Sequence, residues 1–276
     1  MKSLSFTLVA LSVAMFACRT TSADIIAKES FDYNFSASLV QVQGSGTGFS
    51  TNWIAGGRNT TSSAFRVQSG SLSFSGVDSV GNSVTGTSTN TSIFGANRQT
   101  SQLFVGASTG QTTWMSFLIR QNEVGGQFGG FGGIYIGNST NEFDPKLFVG
   151  KGGVGSNNWQ LENLGGAGQV QSNTAVTTGQ TARLVLKMET LVGNDRFTLF
   201  VNPANETESS VGFVKTDLDL GTANRVTMYH TGSFAFDEIH IGTSFSDVVT
   251  SVPEPNSTLL VLAGATLAFW RRRRKR

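Results

Sequence analysis

The sequence predicts an all-β protein built from two packed antiparallel sheets. Apolar and polar residues alternate with period two in several segments, the pattern of strands with one buried face. Gly supplies 33 of 276 residues and charged residues only 14%. Gly, Asn, Ser and Thr cluster between the alternating segments, as turns require. Outside the two chain ends, no stretch keeps a helical period. With 38% hydrophobic residues and 21 Phe, the chain is too apolar to stay disordered.

Strands are expected near Leu39–Gln43, Ser71–Phe74, Gln102–Val105, Trp114–Arg120, Gly133–Ile136, Leu147–Val149, Trp159–Leu161, Ala182–Glu189, Arg196–Asn202, Asn224–Tyr229 and Phe234–Ile241. The alternation points Met115, Phe117 and Ile119 to one face, and does the same for Leu184, Leu186 and Met188 and for Phe197, Leu199 and Val201. Val192-Gly193-Asn194-Asp195 reads as a hairpin turn. The Gly-rich stretch Gly125–Gly133 lacks the Lys-Ser/Thr of a phosphate loop and reads as a flexible hairpin loop.

The N-terminus has the order of a secretory signal over residues 1–23: Lys2, an apolar run from Leu4 to Ala17, and Thr21-Ser22-Ala23 before Asp24. Its apolar run is shorter than the ~20 residues that span a bilayer. Met15-Phe16-Ala17-Cys18 offers a lipoprotein alternative, although Phe16 is bulky for that position. Cys18 is the single cysteine. A chain cleaved after Ala23 has none, so its core must hold without disulfides.

The C-terminus, residues 249–276, is tripartite. Val252-Pro253-Glu254-Pro255 cannot continue a strand or helix and stays extended. An apolar helix is expected over 256–270, as the C-terminal membrane helix. The chain then closes on Arg271, Arg272, Arg273, Arg274, Lys275 and Arg276. Six cations remain on the cytoplasmic side of a membrane, and Trp270 stands at the boundary where an interfacial aromatic is favoured. A packed core helix would not need the cations.

The formal charge of +2 belongs to the ends. Without Lys2, Arg19 and the six tail cations, 12 of the 20 basic residues remain. Without Glu254, 17 of the 18 acidic residues remain, so residues 24–252 carry about −5. No basic patch marks a nucleic-acid partner.

The tail closely resembles the PEP-CTERM sorting signal of Gram-negative bacteria, a tail sometimes labelled after an ice-binding protein's C-terminal domain. The resemblance implies recognition and processing by an integral-membrane exosortase. It also implies insertion into the cytoplasmic membrane and delivery to the cell surface or extracellular matrix. Between the ends, Glu29-Ser30-Phe31-Asp32-Tyr33 opens the domain, Gly46-Thr47-Gly48-Phe49-Ser50-Thr51-Asn52-Trp53 follows, and Phe236–Gly242 closes it. This looks like the concanavalin A-like, laminin-G-like jelly roll, over residues 24–248. In jelly rolls of that kind, an acidic residue on the closing strand often joins groups near the opening strand around a structural Ca²⁺. The resemblance thus makes Asp237, with Glu29 or Asp32, the candidate calcium ligands.

A jelly-roll glycosidase needs paired carboxylates at set spacing on one strand face, and no such pattern is found. Glu206 with Glu208, and Asp217 with Asp219, read as solvated turns. His230 and His240 fit no Ser-His-Asp or zinc pattern. His240 alternates with Glu238 on a face opposite Ile239 and Ile241, where a ligand pair competes with an ordinary half-buried face. Trp53 and Trp159 are candidates for stacking on sugars, against simple core packing. Thr85, Thr87, Thr89 and Thr91 form one threonine row, short of an ice-binding array. The expected function is a non-catalytic envelope or matrix protein that binds exopolysaccharide. The alternatives are an extracellular polysaccharide-active enzyme and an adhesin or ice-binding module.

Overall fold

The structure is a computed structural model that describes residues 24–56, 65–87, 94–138, 147–205 and 213–249. The expected signal peptide and, beyond Val249, the sorting tail lie outside these residues, as do Thr89, Thr91, Glu206 and Glu208. No described helix is long and apolar enough to cross a membrane.

Fifteen strands are described. They are β1 (Ile25–Glu29), β2 (Ile54–Gly56), β3 (Phe65–Gln68), β4 (Ser83–Thr87), β5 (Phe94–Gln99), β6 (Thr112–Glu123), β7 (Gly132–Gly137), β8 (Leu147–Lys151), β9 (Asn158–Asn163), β10 (Val170–Ala175), β11 (Thr181–Glu189), β12 (Arg196–Val201), β13 (Phe213–Lys215), β14 (Arg225–His230) and β15 (Ser233–Gly242). One short helix, α1 (Phe245–Val249), follows them.

The strands form two antiparallel sheets. An eight-stranded sheet runs β13-β12-β11-β6-β15-β4-β3, with β1 also paired to β15, and a seven-stranded sheet runs β10-β9-β8-β7-β14-β5-β2. The sheets pack face to face as a β-sandwich around one core. Met115, Phe117, Ile119, Leu184, Leu186, Met188, Phe197, Leu199 and Val201 enter it from one sheet, and Ile134, Leu147, Val149, Val226 and Met228 from the other. These are the faces that the period-two pattern predicts. The β11–β12 turn also stands where expected, with Glu189 opposite Arg196 and Gly193 at φ 82°.

Three expected strands are not strands. Leu39–Gln41 is a single 3-10 turn, and Gln102–Val105 contributes only an isolated bridge from Val105 to Ala223. Ser71–Phe74 belongs to the β3–β4 loop, whose Leu72 packs onto Leu118 and Ala235 on the outer face of the eight-stranded sheet. In each case the apolar residues anchor a loop, and burial without a partner ladder does not make a strand. The Gly125–Gly133 stretch is a crossover rather than a hairpin, because β6 and β7 lie in different sheets.

Candidate functional site

The site depends on an irregularity in β15. Its register against β6 slips between Asp237 and His240. Glu238 sits there at φ 47°, a backbone state that costs a non-Gly residue about 1–3 kcal/mol. An extra residue moves the side-chain alternation by one. Phe234, Phe236, Ile239 and Ile241 therefore all enter the core. Asp237, Glu238 and His240 are left for the outer side.

On that outer side a cleft of about 260 Å³ opens between the β3–β4 loop and α1. Its charged lining is Lys28, Asp78, Arg183, Glu238, His240 and Asp247. Most of these groups are already engaged. Glu238 Oε2 lies 2.9 Å from His240 Nε2, and Glu238 Oε1 accepts the Val80 N–H at 3.0 Å. Asp247 and Ser244 form a reciprocal cap on α1: Asp247 Oδ2 accepts the Ser244 N–H at 2.8 Å, and the Asp247 N–H donates to Ser244 Oγ at 3.3 Å. The Arg183 guanidinium donates to the Pro203 and Val249 carbonyls and lies over the Phe74 ring. Ser116 donates its hydroxyl to the Val248 carbonyl, which fastens α1 to β6.

Asp237 is buried beneath the β3–β4 loop, where its two oxygens accept the N–H groups of Leu72 (2.7 Å) and Glu238 (2.8 Å). Burial pushes its carboxyl up to about 8; those two donors pull the other way, and the neighbouring Glu238 charge adds to the rise. An unfolded Asp titrates near ~3.9. The folded state thus binds the proton more tightly, and this contribution to stability fades as pH rises from about 4 through 8. The melting temperature should fall across that window, and Asp237→Asn should remove the fall. Parallel pH profiles of the two proteins would contradict the assignment.

Glu29 is also fully buried, at the β1 edge. Its Oε1 accepts the Phe31 N–H at 2.8 Å, and its Oε2 accepts Tyr33 Oη at 2.7 Å and Trp53 Nε1 at 3.0 Å. The same oxygen is ion-paired with Arg98 of β5, in the opposite sheet. Phe49 stacks on that guanidinium at 4.3 Å. A Cβ on Gly44 would stand 2.0 Å from Arg98 Nη2, so a side chain there would displace the guanidinium.

These positions bear on two expectations. Of the calcium candidates, Glu29 is ion-paired with Arg98, Asp237 accepts two amides, and Asp32 is exposed. Among the described residues no three Asp, Glu, His or Cys side chains converge for a metal. EDTA should leave the melting temperature unchanged, and a clear drop would restore the calcium expectation. Trp53 and Trp159 are 0% and 2% exposed and sit in the core. A ring must be open to stack on a sugar, so neither is a sugar platform.

The remaining sequence candidates fall apart in space. His230 packs edge-on against Phe65 in the interior, at 4.8 Å. Asp217 is exposed and paired with Lys215, and Asp219 caps the Gly221 N–H. Of the threonine row, Thr85 and Thr87 lie in β4. On the outer side of the seven-stranded sheet, Phe131, Tyr135, Phe148 and Tyr229 pack on one another and are buried. Lys28, Asp78, Arg183 and Asp247 were not legible as site residues. They come from four separate elements, and no sequence spacing joins them.

The family model of the PEP-CTERM protein-sorting motif matches residues 251–275. The chain ends in a PEP-CTERM sorting signal. The match begins two residues beyond Val249, the last residue of α1 and part of the cleft wall. No curated protein matches the chain at a significant level. Solved structures with some likeness include an endo-β-1,4-glucuronan lyase from Trichoderma reesei, with 13% identity, TM-score 0.42, and coverage of 72% of this chain and 98% of that one. An endo-1,3-β-glucanase from Streptomyces sioyaensis shows 8% identity, TM-score 0.46, and coverage of 78% and 88%. The Emp46p carbohydrate recognition domain in its potassium-bound form shows 11% identity, TM-score 0.43, and coverage of 76% and 96%. Likeness at this level carries no inference about ligand or activity.

Proposed function

We propose that this is a non-catalytic envelope or extracellular-matrix protein whose sandwich binds exopolysaccharide outside the cytoplasmic membrane. The single observation that carries the reading is the PEP-CTERM match over residues 251–275, which implies export, membrane-anchored sorting and processing by an exosortase. The finer fold belongs to the same proposal: a concanavalin A-like jelly roll behind a cleavable N-terminal signal, with a tail that enters the membrane through its apolar segment. The cleft beside Glu238–His240 supports the binding part. It offers charged groups of both signs on a rigid sheet, as sugar hydroxyls need.

A glycan array probed with residues 24–252 tests the reading. The expected result is retention on acidic or neutral polysaccharides, weakened by His240→Ala. Absence of binding across the array would overturn the polysaccharide ligand. Release of reducing ends, lost on mutation of a single carboxylate, would instead make the protein an enzyme.

A further inference from the structure

Helix α1 sets the direction in which the chain leaves the sandwich. Phe245 packs edge-on against the Trp114 ring, and Ser116 holds the Val248 carbonyl. Arg183, opposite Leu118 in the β11–β6 ladder, donates to the Val249 carbonyl. Trp114, Ser116 and Leu118 follow one another along the outer side of β6, between the core residues Met115 and Phe117. The helix therefore runs along β6 toward the Glu123 end of the sandwich, and the tail departs that way.

The loops joining β6 to β7, β8 to β9, β10 to β11 and β14 to β15 gather at the same end. Three apolar side chains stand open on them: Val124 is 81% exposed, Phe128 48% and Val154 78%. Phe128 and Val154 are neighbours, since a Cβ on Gly129 would lie 3.7 Å from Val154 Cγ2 and one on Gly153 3.5 Å from Phe128 Cβ. The Phe128 backbone is held at φ 57°, a strained state that persists only where its surroundings fix it. Lys151 does the fixing. Its buried ammonium donates to the carbonyls of Gly129 (3.3 Å), Gly130 (2.6 Å) and Gly152 (3.2 Å), which ties the two loops together. The ring is thus displayed on a stapled loop.

Charge separates this end from the other. The described stretches 124–131, 152–157, 176–180, 202–205 and 231–232 contain no ionisable side chain. Among the described residues, Glu123 is the exposed charge that adjoins them in sequence. At the opposite end Leu191 and Val192 are also exposed, but Glu189 pairs there with Lys187 and Arg196. An apolar, uncharged tip with an aromatic ring suits a lipid surface. The chain length fits as well. Leu118 to Val124 is six strand residues, about 20 Å. Ten residues lead from Val249 to Leu259, where the apolar segment starts, and reach up to about 33 Å. The tail can enter the bilayer while the tip stands at its surface.

We propose that Val124, Phe128 and Val154 form a membrane-contact tip that rests on the outer surface of the cytoplasmic membrane while the tail holds the chain. The contact sets the sandwich upright, with the Leu191–Val192 turn pointing away from the lipid. It requires the membrane-inserted tail proposed above and is independent of the polysaccharide ligand.

The test expresses the full chain, with Cys18→Ser, in a Gram-negative host without the processing enzyme, so that it is exported uncut. The purified protein is reconstituted in vesicles of phosphatidylethanolamine and phosphatidylglycerol. An environment-sensitive fluorophore is placed on Val154→Cys or, as the control, on Val192→Cys. Nitroxide lipids should quench the first at least about twofold more than the second, equally at low and high salt because the tip is uncharged. Adding Phe128→Asn, a residue that tolerates positive φ, should reduce the quenching at Val154→Cys. Equal quenching at the two positions would overturn the proposal. So would quenching that Phe128→Asn leaves unchanged, or an emission shift at Val154→Cys that nitroxide lipids do not affect, as a contact between copies would give. Flotation with the vesicles is read first. A chain that fails to float would overturn the membrane-inserted tail and the tip with it, whereas a floating chain without selective quenching overturns the tip alone.

Discussion

Glu29→Ala is expected to destabilise the sandwich by about 3–5 kcal/mol, the effect of leaving one member of a buried ion pair without its partner. The size follows from what the carboxylate holds. It gathers the Phe31 amide, the Tyr33 hydroxyl, the Trp53 indole and the Arg98 guanidinium in one buried place. Arg98 belongs to one sheet and Glu29 to the other, so the pair joins the sheets where the 42–53 loop crosses. Its loss strands the guanidinium, and Trp53, which stacks on Phe31 at 5.8 Å, loses its acceptor. A domain stable by ~5–15 kcal/mol gives up a large part of its margin. Urea denaturation checks this, and the double variant Glu29→Met with Arg98→Met separates the causes. Replacing both charges should recover much of the loss, because no unpaired charge remains. A single variant within 1 kcal/mol of wild type, roughly the scale of an exposed pair, would contradict the account.

The second large effect concerns the tail. Each cation at the bilayer centre costs about 2.5–3.5 kcal/mol on insertion scales. Arg271 to Arg276 together should therefore stop translocation outright. Replacing all six with Ser should let the chain pass through uncut. Replacing Glu254 should keep the membrane stop and block processing, so full-length protein accumulates in the membrane fraction. The two variants should separate cleanly on fractionation. If both behaved alike, the stop and the recognition motif would not be separate devices.

The sandwich was legible because the core-facing residues of its central strands alternate in the sequence. β6, β11 and β12 send every second residue into the central core, and Met115, Leu184 and Phe197 report it directly. Strands β1, β2, β3, β5, β10 and β13 were missed, and β4 was read only as part of a threonine row. Segments such as Ser83-Val84-Thr85-Gly86-Thr87 and Val170–Ala175 are polar and Gly-containing, and their neighbours determine them more than their own pattern does. The site was less legible for a related reason. Glu238 and His240 alternate in the sequence, and the structure does bring them together. The bulge at Asp237–His240, which brings Phe234 and Phe236 to the same side as Ile239 and Ile241 and leaves Asp237 outward beside Glu238, is a tertiary effect with no Gly or Pro to announce it. Trp53 misled because an indole looks the same in sequence whether it stacks on a sugar or donates to a buried carboxylate.

The central claim is that the chain is sorted and cut through its tail, and mass spectrometry of the C-terminus of the wild-type surface form tests it most directly. The expected result is a mature chain that ends near Pro253-Glu254-Pro255 and lacks Arg271 to Arg276. An intact surface form ending at Arg276 would contradict processing and leave the tail as a permanent anchor.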